Sequence, residues 1–172
     1  MSFTKNERFI ISNQIKILEK LYPAESTYYG KTRKVFEEGF SFECEDAISH
    51  IDEELDREIQ NEVRDTLDLF SALRRSFDNL PKTTKINEEE IKFRGYDGNI
   101  TIESSMAGYA EYLVVDEGKF KEAVKGQPPH WGYNSHLEMR PNYQRKIKKW
   151  KSFDSKVRHS MSESQIRDVL DA

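Results

Sequence analysis

The run Asp56-Arg57-Glu58-Ile59-Gln60-Asn61-Glu62-Val63-Arg64-Asp65-Thr66-Leu67-Asp68-Leu69-Phe70-Ser71-Ala72-Leu73-Arg74-Arg75-Ser76-Phe77 decides the fold. Within it Ile59, Val63, Leu67, Phe70, Leu73 and Phe77 follow one another at steps of four and three. A strand changes face at every residue, so only a helix turns all six side chains to one side. Asp56 is suited to cap the first turn, and Asn79-Leu80-Pro81 is suited to end the last. Burying six such side chains is worth roughly 1.5–3 kcal/mol each. The stretch is therefore predicted to be the central core helix. A Phe/Leu stripe can also line a cofactor pocket, but such stripes usually pack a core, and no cofactor is predicted.

Outward from that helix, toward the N-terminus, Thr4-Lys5-Asn6-Glu7 reads as a capping box. Behind it Ile11, Ile15, Leu18 and Tyr22 recur at helical spacing, Ile10, Ile17 and Leu21 widen the stripe, and Pro23 stops it. A second helix is predicted over about Ser26–Glu38, with Gly39 as its left-handed terminus. Phe40-Ser41-Phe42-Glu43-Cys44 alternates and predicts a short extended piece.

Toward the C-terminus, Glu88-Glu89-Glu90 reads as solvated, Ile91-Lys92-Phe93-Arg94 as a brief strand or bridge, and Asp97-Gly98 as a turn. A fourth helix fits about 103–116, with Met106, Tyr109, Ala110, Leu113 and Val114 on one face. Gly126-Gln127-Pro128-Pro129-His130-Trp131-Gly132-Tyr133-Asn134 reads as a loop. Pro141 suits the first turn of a fifth helix carrying Tyr143, Ile147 and Trp150. Ser162-Glu163-Ser164-Gln165 opens a short last helix with Ile166, Val169 and Leu170. With no internal repeat and no Gly/Ser linker, the expected fold is all-α. One multihelical domain over 1–172 gathers around the helix at about 56–77, with at most minor extended segments.

At 172 residues the chain has room for one sizeable core. Charged residues make up 34% and the mean hydropathy is -0.83, which is wet, yet 10 Phe, 8 Tyr and 2 Trp supply the bulk that disordered chains lack. No run approaches the roughly 18 apolar residues of a membrane helix. No basic segment followed by an apolar one opens the sequence, and one cysteine, Cys44, cannot form an internal disulfide. A cytoplasmic protein without membrane contact is expected. The net charge of -4 hides an asymmetry: 43–68 holds 11 acidic and 2 basic side chains, and 140–158 holds 8 basic and 1 acidic. Two such stretches attract one another within a chain or across a subunit interface.

Several segments together resemble one family. They are Asn6-Glu7-Arg8-Phe9-Ile10-Ile11-Ser12-Asn13-Gln14, Leu21-Tyr22-Pro23-Ala24, Glu37-Glu38-Gly39 and Asp65 through Leu73. Phe93-Arg94-Gly95-Tyr96-Asp97-Gly98-Asn99, Glu117-Gly118-Lys119-Phe120, Asn134-Ser135-His136 and Tyr143 through Trp150 continue the series. In this order, from end to end, they resemble the YfbU family of small bacterial proteins. Residues 41–55 and the Pro-Pro-His-Trp loop depart from the family pattern. The resemblance implies a helical, cytoplasmic, bacterial protein and no particular reaction. Some family members look as if this domain is joined to a helix-turn-helix module, which hints at ligand sensing.

The residues themselves carry no nucleophile elbow, phosphate loop, Gly-x-Gly-x-x-Gly or His-Glu-x-x-His, and one cysteine excludes paired-cysteine zinc sites. His50 and Glu54 would share a face if helical, but a metal needs further fixed ligands, so a solvated acidic face is the preferred reading and no metal is predicted. Arg94, Asp97 and Asn99 in one loop, with Asn134 and His136 in another, are the candidate ligand-binding set. If the loops meet, they offer a guanidinium fork, a carboxylate, two amides and an imidazole to a small polar or anionic ligand. The plainer alternative is that Asp97 and Asn99 cap turns, Arg94 pairs with an acid and His136 caps a helix. No catalytic residue is assigned. The expectation is a ligand-sensing or protein-interaction (regulatory) module that self-associates as a homodimer or larger. Two alternatives stay open: a small hydrolase using His136, and nucleic-acid binding through the basic helix 140–158. For the latter, packing of that helix on an acidic one accounts for the same residues.

Overall fold

In the computed structural model, which describes residues 3–128 and 133–172, the decisive run is a helix over Arg57–Asp78. The chain forms α1 (Lys5–Leu21), α2 (Ser26–Glu38), α3 (Ser41–Ala47), α4 (Arg57–Asp78), α5 (Thr101–Glu111), α6 (Arg140–Lys151) and α7 (Glu163–Leu170). Among the described residues there is no strand, and the fold is all-α. Two compact units divide the chain, 1–54 and 55–172.

In the second unit α4 is the scaffold. Asp56 caps it by accepting from the Glu58 N–H at 2.6 Å. Val63, Leu67, Phe70 and Leu73 are fully buried, with Ile59 and Phe77 partly buried against the same core. Burial extends beyond that stripe: Thr66, Leu69, Ser71, Ala72 and Ser76 are also out of solvent. The hydroxyls among them stay satisfied, since Thr66 donates to the Glu62 carbonyl and Ser71 to that of Leu67. Ser76 Oγ accepts from the Met161 N–H at 2.9 Å. Around α4 gather α5, α6, α7 and short turns at Glu88–Ile91 and Lys121–Val124. Phe70, Phe93, Tyr96 and Tyr143 form an aromatic knot with centroids 5.1–5.8 Å apart. The fourth helix fills its predicted span, with a π-helical last turn at Tyr112–Asp116.

The basic helix α6 is spent largely on acids and carbonyls. Arg140 forks onto the Glu62 carboxylate at 3.0 Å, and Lys151 pairs with Asp65, both on α4; Lys149 reaches Asp168 on α7. After it, Arg158 donates to the carbonyls of Phe153 and Lys151.

In the first unit α1 and α2 pack as a pair followed by the short α3. Both halves of the Thr4/Glu7 capping box are present, and Gly39 ends α2 at φ 75°. One expectation fails. Residues 41–44 are helical, and the alternation of Phe40, Phe42 and Cys44 marks no sheet face: Phe42 is 79% exposed and Cys44 buried. With no partner strand, so short a segment satisfies its backbone only by closing helical bonds. His50 and Glu54 lie in a turn and an irregular stretch after α3, so the condition for a shared helical face is not met. Among the described residues no three His, Cys, Asp or Glu side chains cluster as metal ligands. Pro129, His130, Trp131 and Gly132 of the predicted loop lie outside the described residues.

Candidate functional site

The two loops singled out in the sequence meet. Tyr96 and Asn134 form an isolated parallel bridge, in which the Tyr96 N–H donates to Tyr133 O at 2.8 Å and the Ser135 N–H to Tyr96 O at 2.9 Å. The predicted bridge thus falls a few residues after Ile91–Arg94, beyond the turn at Glu88–Ile91. Asn134 Oδ1 accepts from the Gly98 and His136 N–H groups, at 3.1 and 2.9 Å. Asp97 Oδ1 accepts from both the backbone and the side-chain amide of Asn99. Gly98 carries no side chain for a physical reason, since a Cβ there would meet the Asn134 amide at 2.7 Å. Asp97, Asn99 and Asn134 therefore lace backbone to backbone. His136 is exposed at φ 54°, and among the described residues its imidazole has no hydrogen-bond partner.

The fastening beneath these loops is Glu103, which sequence reading missed. Its side chain is buried to 1% exposure on the first turns of α5. It accepts from the Asp97 N–H at 2.6 Å, the Arg140 N–H at 2.7 Å and the Met139 N–H at 3.1 Å. A carboxylate at the start of α6 also sits where the helix dipole favours it. Glu103 thus joins the Asp97 turn to α6. No local pattern marks it, because its partners lie 6 and 36–37 residues away.

Arg94 goes elsewhere. Its backbone N–H donates to the Tyr143 hydroxyl at 3.1 Å, and it lines a cleft of about 660 Å³ between the 90–94 segment, the 137–146 segment and the last turn of α7. Asp97, Asn99, Asn134 and His136 are not among the lining residues. Phe70, Tyr143 and Leu170 contribute the apolar part, and Lys92, Arg94, Arg145 and Lys146 the positive charge. Glu90, Glu138 and Asp171 supply three carboxylates. Glu90 is engaged by Arg167 at 2.7 Å, and Lys92 by Glu89. Arg145 donates to the carbonyls of Ala172 and Pro141.

The guanidinium of Arg94 and the ammonium of Lys146 have no hydrogen-bond or ion-pair partner among the described residues. Burial pushes the Lys146 amine below its ordinary value, and the guanidinium charges of Arg94 and Arg145 push it further the same way. Asp171 and Glu90 oppose this without reversing it. Asn142 Oδ1, in the same lining, is buried with no hydrogen-bond partner. The arrangement can accept negative charge beside Lys146 and a hydrogen-bond donor at Asn142. Arg145 and Lys146 stand in the basic stretch read from the sequence, but no local pattern separates Lys146 from its paired neighbours. Long-range pairing, which decides which cations remain free, is not local information.

No helix among the described residues is long and apolar enough to cross a membrane. The YfbU domain model matches residues 1–172. From end to end, then, this chain belongs to the YfbU family.

Proposed function

We propose that residues 1–172 act as one ligand-sensing domain that takes a small, hydroxylated, multiply charged anion in the cleft beside Lys146. The carrying observation is a half-buried ammonium flanked by two guanidinium groups and bonded to none of the nearby carboxylates. Charge buried in this way is costly to the free protein and is relieved when a counter-charge arrives. Arg94 supplies a two-pronged grip, Lys146 a point charge, and the Asn142 Oδ1 an acceptor for a ligand hydroxyl. Binding of this kind suits a sensing or regulatory role. The basic helix is a poorer nucleic-acid surface by comparison, since Arg140, Lys149 and Lys151 already hold carboxylates and Arg145 holds carbonyls.

Thermal denaturation with inorganic phosphate, pyrophosphate, citrate and tricarballylate tests the reading. An anion at about 100 times its dissociation constant adds about 2.7 kcal/mol, or roughly 5–10 °C for a chain of this size. Citrate is expected to shift the transition more than tricarballylate, which lacks the hydroxyl. Both shifts disappear in Arg94→Ala. Equal shifts in wild type and Arg94→Ala, or none with any of the four anions, count against the cleft as the site.

A further inference from the structure

Asn142 and Lys146 stand one turn apart on the same face of α6, and both line the cleft. Among the described residues the Lys146 amine has no hydrogen-bond or ion-pair partner, and the buried Asn142 Oδ1 accepts from nothing. Arg94 lines the same cleft from the 90–94 segment, its guanidinium equally unpaired. A ligand that only pairs with an ammonium must leave the proton on a nitrogen that burial and the charges of Arg94 and Arg145 press to release it. Asp171 and Glu90 oppose that pressure, and Glu90 is already held by Arg167. A ligand that bonds to the nitrogen instead uses the neutral amine, which is a nucleophile.

We propose that Lys146 captures its ligand covalently, its amine condensing with the carbonyl of a 2-oxo acid whose carboxylate is held by Arg94. This rests on the reading of the cleft as an anion site and names the class of anion. The Lys146 Nζ lone pair attacks the 2-carbonyl carbon, a C–N bond forms, and one amine proton passes to the carbonyl oxygen to give a carbinolamine. Loss of the second amine proton with that oxygen as water leaves a C=N bond. Nothing is oxidised or reduced, and one water is released. The hydroxyl assigned to the ligand above arises in the first step, and the Asn142 Oδ1 is an acceptor for it one helical turn away. The carboxylate selects the ligand among carbonyl compounds, since a guanidinium fork matches its two oxygens. Lys92, Lys119, Lys125, Lys149 and Lys151 each hold a carboxylate already, so an unpaired amine beside an unpaired guanidinium sets Lys146 apart from them.

Brief incubation of the full chain with pyruvate and cyanoborohydride, which reduces an imine to a stable secondary amine, tests this by peptide mass spectrometry. Lys146 is expected to be labelled about tenfold faster than any other lysine. Arg94→Ala cuts labelling by pyruvate about tenfold and labelling by acetone, which has no carboxylate, only about twofold. Lys146→Arg keeps the positive charge without a nucleophilic amine, so it retains the citrate shift in thermal denaturation and loses the label. Labelling of Lys146 no faster than of the other lysines overturns the inference. If citrate still stabilises the protein in that case, the anion site stands and the covalent step alone is lost; if citrate has no effect either, the site itself is lost. Equal loss of pyruvate and acetone labelling in Arg94→Ala overturns the assignment of a 2-oxo acid, since the carboxylate would then go unrecognised.

Discussion

At the scale of single residues, Lys146 and Glu103 are opposites. Glu103 is a buried charge with three backbone donors around it; Lys146 is a half-buried charge with none. Removing the first strips acceptors from three amides, so Glu103→Ala is expected to cost about 3 kcal/mol in chemical denaturation, and Glu103→Gln less. Removing the second relieves a penalty. Lys146→Met is expected to stabilise the protein by roughly 0.5–1 kcal/mol, solvent screening holding the effect small, and to abolish anion binding. The pH dependence follows from the sign of the shift. The folded protein releases the Lys146 proton below the ordinary lysine value of 10.5, so the unfolded chain binds more protons in that window. Wild-type stability thus gains from this group as pH rises toward 10.5, and the advantage of Lys146→Met shrinks over the same window. Melting temperatures of the two proteins across alkaline pH check this. An advantage that grows with pH contradicts it.

At the scale of elements, α4 is both the most legible part of the sequence and the most sensitive. Leu67 is fully buried against the surrounding helices, and Leu67→Ala is expected to cost 2–5 kcal/mol in urea unfolding, depending on collapse of the cavity. The caps read from the sequence hold because they are local: Thr4 with Glu7, Ser162 with Gln165 and Gly39 at a positive φ each need only neighbours within four residues. Thr4→Ala is accordingly worth about 1 kcal/mol. What depends on distant partners was not legible. α3 looked extended because alternation over five residues cannot say whether a partner strand exists. The five candidate site residues were drawn from two loops that do meet, yet lacing occupies the side chains of Asp97, Asn99 and Asn134, His136 stands exposed away from the cleft, and Arg94 alone of the five lines it. Arg145 and Lys146 were read as part of a basic stretch; their neighbours Lys149 and Lys151 are neutralised by acids from α7 and α4, which sequence order does not reveal.

At the scale of the whole molecule, the two units are unequal. The second encloses a continuous core from Val63 to Val169, whereas the first, among its described residues, gathers only Ile15, Phe36 and Cys44 as a buried apolar cluster. A chain of residues 55–172 alone is therefore expected to keep cooperative urea unfolding, while residues 1–54 alone stay largely unfolded at low concentration. A cooperative transition in the isolated first unit would contradict that asymmetry. The account turns on the cleft as an anion site, and amide chemical-shift mapping of the full chain during a citrate titration addresses it most directly. Saturating shifts confined to residues 90–94, 137–146 and 170–171 are the predicted result. Shifts spread over lysines remote from the cleft, such as Lys5, Lys31 and Lys156, with those three segments unmoved, would contradict it.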